Sequence, residues 1–272
     1  MLKKITIFVF TALTLVVPVF AQTDGSSPIG ANTAQDLYSP SIAGRGGFTT
    51  SKGGAPASAL NPAAEGDAQR IIFDAGYLGL PSFGGESGYG NAVNIGALFP
   101  TSIGVFGGSL RFLQSPFDSF GVGTSFTINL TAAKEIYPGM NLGLGLNTGF
   151  NTENTWIASA DLGFRYNMGD KGFFKDFTWA VALRSMGKSW TPSMFTPAGG
   201  VSFDFVRLEG SGSPDPLRMG LAADVSFPTF QNFTGKLGLN LTIAELVTVS
   251  ASSQFNLGEA FKNSPPSPIP SV

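Results

Sequence analysis

The chain has 272 residues, of which 43% are hydrophobic and only 12% charged, with a formal net charge of −2 and a mean hydropathy of +0.18. It contains neither histidine nor cysteine, which excludes Ser-His-Asp and Cys-His catalysis, histidine- or thiolate-bound metal, disulfides and a lipid anchor on cysteine. No basic cluster suits nucleic acid, and no G-x-S-x-G, G-x-G-x-x-G or phosphate-binding loop occurs, so the expectation is a non-enzyme without a cofactor.

The chain opens with Lys3 and Lys4, followed by Ile5 to Phe20, apolar apart from Thr6, Thr11 and Thr14. Val19-Phe20-Ala21 then puts small residues at the two positions a signal peptidase reads. This predicts a cleaved export signal over 1–21. A membrane anchor fits less well, because the run is short for a spanning helix and Pro18 interrupts it. Loss of Lys3 and Lys4 takes the net charge from −2 to −4. Beyond this segment no apolar stretch approaches the ~20 residues a spanning helix needs. An exported chain this poor in charge, compared with roughly 25% in ordinary soluble domains, needs somewhere to put its apolar surface.

Residues 22–69 are rich in Gly, Ala, Ser, Thr and Pro with little periodicity, which reads as an irregular or folded-back segment. From Arg70 the texture changes to alternation. Phe126, Ile128, Leu130 and Ala132 interleave with Thr127, Asn129 and Thr131. Leu142, Leu144 and Leu146 interleave with Asn141, Gly143, Gly145 and Asn147. Leu162, Phe164 and Tyr166 oppose Asp161, Gly163 and Arg165, with Ile157 breaking the pattern. Successive side chains of a strand point to opposite faces, so each segment has one apolar and one polar face.

Strands are predicted over Ile71–Gly79, Tyr89–Phe99, Gly104–Leu113, Ser125–Glu135, Met140–Phe150, Trp156–Met168, Phe177–Ser185, Leu217–Phe227, Phe233–Ile243 and Val247–Leu257, with a further one at Val201–Arg207. Tight turns are predicted at Pro138-Gly139 and near Pro100-Thr101, and a long connection between Gly187 and Pro216.

A water-exposed face should be studded with Lys and Glu, whereas the polar face here is mostly Gly, Ala, Ser, Thr and Asn. Small uncharged residues suit a confined interior, and Phe99, Tyr137, Phe150, Trp156, Trp190 and Phe227 near segment ends suit interfacial girdles. The pattern predicts an all-β fold, a transmembrane antiparallel barrel of residues 70–260 in an outer membrane. A soluble β-sandwich or small secreted barrel shows the same alternation and is the competing reading. Charges facing lipid would cost a few kcal/mol each, so Arg111, Asp161, Arg165, Arg184, Arg218, Asp224 and Lys236 are expected to face the lumen. They would guide solute, hold a plug, or simply balance charge. Asp161 and Arg165 lie too far apart along one strand to pair directly, so partners across strands or in the N-terminal segment are expected.

The run AGRGGFTTSKGGAPASALNPAAEGD (43–67) leads through glycines and small residues to Asn61-Pro62-Ala63, just before the first strand. It resembles the N-terminal segment of the FadL-like long-chain fatty-acid transporters of outer membranes and their PorV-type relatives. ASADLGFRYNMGD (158–170) and WAVALRSMGKSW (179–190) resemble the same group. The resemblance implies a fourteen-stranded barrel with the N-terminal segment, 22–69, folded into the lumen as a hatch that includes Asn61, Pro62 and Ala63. It also implies passive uptake of hydrophobic or amphipathic solutes such as fatty acids, with outer-membrane lipid around the barrel. A PorV-like role, with secretion-machine proteins as partners, and a general diffusion porin are the alternatives. Two features depart from the family. Lys52-Gly53-Gly54-Ala55 replaces the acidic pair that often precedes the motif, and residues 261–272 form a Pro/Ser-rich turn or linker instead of a closing aromatic strand. The expectation is therefore a barrel incomplete at its C-terminal end.

Overall fold

The computed structural model of the protein describes residues 49–50, 53–81, 88–114, 123–152, 156–188, 195–208, 216–228, 233–244, 247–256 and 269–271. The predicted export signal (1–21), residues 22–48 of the N-terminal segment, Trp190 and most of the Pro/Ser-rich end lie outside them. Twelve strands form one antiparallel sheet in which each pairs with its neighbours in sequence. They are β1 (Ile72–Pro81), β2 (Tyr89–Pro100), β3 (Val105–Gln114), β4 (Thr124–Tyr137), β5 (Met140–Asn151), β6 (Trp156–Asn167), β7 (Lys175–Lys188), β8 (Thr196–Leu208), β9 (Leu217–Ser226), β10 (Thr234–Ile243), β11 (Val247–Asn256) and β12 (Ile269–Ser271). A single described helix, α1 (Ala55–Leu60), precedes them. No described helix is long and apolar enough to cross a membrane, which says nothing of crossing by strands.

The faces are reversed relative to a water-soluble sheet. On β4 and β5, Leu130, Leu142, Leu144 and Leu146 are about half exposed, whereas Thr127, Asn129, Thr131 and Asn141 are buried. The same holds on β2, β3, β6, β9 and β10, where Ile95, Phe112, Leu162, Leu221 and Leu237 face out and Asn94, Arg111, Asp161, Asp224 and Lys236 are buried. Ile157 is the exception noted in the sequence, an apolar side chain on the inner face at 5% exposure. Phe99, Tyr137, Phe150, Trp156 and Phe227 stand exposed at or beside strand ends.

The sheet curls around residues 49–50 and 53–67. The Thr49 N–H donates to Asp224 on β9, while the Ala55 N–H donates to Asp74 on β1. In a flat sheet these strands would stand eight spacings apart, ~38 Å at ~4.8 Å each. Six residues reach at most ~21 Å. Only a strongly curved sheet lets one short segment touch both. Among the described residues β1 does not pair with β11 or β12, so the curl leaves a seam there.

Three stretches differ from the sequence expectation. Within the expected turn or linker over 261–272, Ile269–Ser271 pairs with β11 as β12. The long connection foreseen between Gly187 and Pro216 holds all of β8, longer than Val201–Arg207. Its first half, Thr196-Pro197-Ala198-Gly199-Gly200, has no apolar-polar contrast to register as a strand, yet it pairs with β7 through Arg184↔Thr196 to Ala180↔Gly200. The irregular N-terminal segment contains α1, whose Ala and Leu favour helix and whose Pro56 sits in the first turn, where a missing N–H costs nothing. The helix stops at Asn61, held extended (φ −138, ψ 107) as the residue before a proline prefers.

The tight turns fall where foreseen, at 138–139 and 101–104. A third, at 168–174, is tied by Asp170, which accepts from the Asp176 N–H at 3.0 Å and pairs with Lys175 at 3.3 Å. The Asp176 N–H, and secondarily Lys175, hold the Asp170 carboxyl below the usual range. A depressed folded pKa contributes stability above the unfolded value, ~3.9, and loses it as pH falls through the folded one. Hydrogen exchange at the Asp176 amide, corrected for intrinsic rate, should therefore accelerate below about pH 4; an unchanged protection factor would contradict this.

A glycine seat for the Asn-Pro-Ala turn

Asn61 is completely buried, and all of its amide is used. Its Nδ2 donates to Thr49 O at 2.7 Å and to Phe164 O on β6 at 3.4 Å, and its Oδ1 accepts from the Ala63 N–H at 3.0 Å. The last bond closes an Asx turn across Pro62, the local geometry that Asn before Pro favours. Ala63 and Ala64 are fully buried with it.

The wall accommodates this turn with glycine. Gly143 on β5 and Gly163 on β6 are register partners. A Cβ on Gly143 would stand 2.5 Å from Ala63 N and overlap the Pro62 carbonyl, and one on Gly163 would overlap Asn61 Oδ1. Gly145, next along β5, leaves 3.0 Å to Pro62 Cγ. Paired glycines thus form a notch into which the turn's backbone fits. Neighbouring backbone bonds reinforce it, the Glu135 N–H donating to Gly66 O at 3.1 Å.

Buried and half-buried charges of the wall hold the rest of the segment. Arg165 Nε donates to Thr50 O at 3.2 Å and its Nη2 reaches Thr178 Oγ1 at 3.5 Å. Asp224 holds Thr49, and Asp74 holds Ala55, the first residue of α1. The preceding Gly54 has φ 75, and a Cβ there would overlap Asp74. Within the segment, Glu65 accepts from the N–H groups of Gly53 and Gly54 at 2.7 and 3.0 Å.

Asp161 belongs to a different arrangement, a polar rung across four strands. Asn129 Nδ2 donates to Asn147 Oδ1, Asn147 Nδ2 to Asp161 Oδ2, and the Ser185 N–H to Asp161 Oδ1, each at 2.7 Å. The last step depends on a bulge where the β6–β7 register shifts between Ala160 and Leu162. The extra β7 residue turns both Arg184 and Ser185 inward (7% and 8% exposed), with Ser185 in the left-handed region at φ 58. Arg184, Asp224 and Lys236 meet Thr49, Leu60 and Thr234 around a cavity of about 10 Å³, room for one water. Arg111 is buried on β3 with Nη2 3.4 Å from Thr127 Oγ1. Nearby Asn94 on β2 and Ser109 on β3 have buried side-chain polar atoms that meet no partner among the described residues. Arg218 stands apart, partly exposed and bonded through Nε and Nη2 to Asp204 Oδ2 at 3.0 and 2.7 Å.

Of the ten residues singled out from sequence, the structure brings Asn61, Pro62, Ala63, Arg165 and Asp224 into one bonded assembly with Thr49 and Thr50. Arg184 and Lys236 border it, whereas Asp161 heads the rung, and Arg111 and Arg218 lie elsewhere. No family model matches the chain, and neither do any curated protein or solved structure. The assembly is therefore interpreted on its geometry alone. It has no nucleophile-base pair, and the described residues hold no cluster of acidic side chains able to bind a metal. What it does is fasten a segment to the inside of a curved wall.

Asn61→Ala removes three bonds, two of them the buried ones to the Thr49 carbonyl and from the Ala63 N–H. The cost should be about 2 kcal/mol, read as a lowered urea midpoint. An unchanged midpoint would remove Asn61 from the fastening.

Proposed function

We propose that the protein is an outer-membrane β-barrel of FadL-like type, whose wall passes hydrophobic or amphipathic small molecules, fatty acids among them, without energy input. The observation that carries this reading is the reversal of faces in a sheet that wraps its own N-terminal segment. Leucines line the outside, where lipid is a better solvent than water. Asn, Thr, Gly and paired charges line the inside, where the segment ending in Asn61-Pro62-Ala63 acts as a hatch. Inner-face groups such as Asn94 and Ser109 offer hydrogen bonds to water or to the polar end of a solute. A hatch whose backbone is held by wall side chains, with a cavity for one water beside it, suits regulated passage of a few solutes better than a wide diffusion pore.

The test is binding of oleate to the full chain folded in detergent, judged by calorimetry and by a folded band that migrates differently from the boiled one. Saturable oleate binding, absent for glucose, supports the reading. Ligand-indifferent conductance in planar bilayers would favour the porin. One observation favours the PorV-like alternative. Phe173 and Phe174 stand exposed in the 168–174 turn, stacked edge to face at 5.7 Å, as a rim contact for a partner protein would require. Co-purification with a large translocon, lost on Phe173→Ser, would shift the assignment to that role.

A further inference from the structure

The outer face is not uniformly ridged. A groove of about 680 Å³ runs across the strands from Ile103 and Phe106, past Ala132, Leu144, Leu162 and Leu183, to Val225 and Phe227. Its lining is apolar except for one charged residue, Lys134. Gly143 and Gly163 also border it, so the two glycines that seat the Asn-Pro-Ala turn on the inside form part of its floor on the outside. Gly143 and Gly163 contribute no side chain to the groove, and on their other side lies the turn at Asn61-Pro62-Ala63.

Lys134 follows Leu130 and Ala132 in the outward row of β4 and is exposed. It lies three residues before Tyr137, which ends β4 at the turn 138–139, and Ile103 and Gly104 of the 101–104 turn line the same end of the groove. A cation on the outer face beside such a rim lifts its ammonium to the headgroup level while its stem lies on apolar surface. The connections between strands on this rim are four (101–104), two (138–139), seven (168–174), eight (209–216) and three (244–246) residues long, shorter on the whole than the seven (82–88), nine (115–123), four (152–155), seven (189–195), seven (227–233) and twelve (257–268) at the other. Short turns mark the periplasmic side of outer-membrane barrels, and the leaflet there is phospholipid.

We propose that this groove is a binding site for one anionic phospholipid of the surrounding leaflet, with its phosphate on Lys134 and an acyl chain along Phe106, Leu144 and Leu162. The proposal rests on the membrane reading above. An apolar trough with a single cation at its headgroup end is complementary to an amphiphile with an anionic head. It is a poor match for a second copy of this face, which would set lysine against leucine or lysine. Because the floor is shared with the hatch seat, lipid occupancy supports the wall from outside at the place where the hatch presses from inside.

The experiment is native mass spectrometry of the full chain released from detergent, with phosphatidylglycerol or phosphatidylcholine added. Heat-modifiable gel migration checks folding of every variant. Wild type should retain one phosphatidylglycerol about fivefold better than phosphatidylcholine, from a single lysine at the headgroup level. Lys134→Gln should erase the preference, Lys134→Arg should keep it, and Ala132→Phe, which fills the groove, should lower retention of both lipids. No preference in wild type, a preference that survives Lys134→Gln, or a dimer whose mass excludes lipid would each overturn the proposal while leaving the barrel intact. A chain that gives no heat-modifiable band and stays soluble without detergent would overturn the barrel reading and this one together.

Discussion

Replacing Gly143 with valine is expected to unseat the Asn61-Pro62-Ala63 turn. The new Cβ would occupy space held by the Pro62 carbonyl and the Ala63 nitrogen, both backbone atoms that no rotamer change can move. Overpacking of this kind costs typically ~1–3 kcal/mol when the surroundings relax. Here the least costly relaxation is withdrawal of the turn, because β5 is fixed on both sides by pairing with β4 and β6. Withdrawal forfeits the Asn61 bonds to Phe164 and within the turn, and loosens Thr50 from Arg165. The expected outcome is a loss of about 3 kcal/mol in urea stability, with hydrogen exchange across 55–67 rising towards that of unstructured peptide. Solute leakage through reconstituted vesicles should increase. Gly163→Ala should act in the same direction, and Gly145→Ala more weakly, since its nearest atom of the turn, Pro62 Cγ, would be 3.0 Å away. Gly108→Ala is the control, with only ordinary contact at 3.4 Å. Equal protection of 55–67 in wild type and Gly143→Val would show that the notch does not hold the turn.

That notch marks the limit of what the sequence reveals. Gly143 and Gly163 are legible as small residues on the polar face of alternating strands, and the alternation of Leu142, Leu144 and Leu146 is enough to assign the faces. That the two glycines sit side by side, and that Asn61-Pro62-Ala63 reaches them from eighty to a hundred residues away, depends on strand register and on the curl of the sheet. Neither is written in local periodicity. The partners of Asp161 are hidden for a related reason. Asn147 lies on the neighbouring strand and in principle invites pairing, but the Ser185 N–H reaches it only through a bulge that gives β7 one extra residue. Bulges break the period of two on which strand reading depends. Thr196 to Gly200 failed to register as strand because Pro, Ala and Gly supply no contrast between faces. Arg165 was legible as inward but not as the donor to Thr50, since its acceptor is a backbone carbonyl that any residue would supply.

Leu144→Arg separates the two classes of fold that share this alternation. Leu144 is 47% exposed, between Ala132 on β4 and Leu162 on β6, in the middle of the outward row of β5. In a water-soluble sheet, arginine at a half-exposed site away from any charge changes stability within about 0.5 kcal/mol and lowers the tendency to associate. In a lipid-facing wall the same change places a guanidinium near mid-membrane, at a cost of about 2–4 kcal/mol. Thr131→Ser, on the inner face of β4 and already among polar groups, should be nearly neutral in both cases. The measurement is urea unfolding in phospholipid vesicles beside unfolding in short-chain detergent, where a micelle deforms around the charge and the penalty shrinks. A loss that is large in vesicles and small in the micelle assigns Leu144 to hydrocarbon. If the two media gave the same small loss, the outward leucines would face water. Their row, with Leu130, Leu142 and Leu146 beside it, would then be a surface for another protein rather than for lipid.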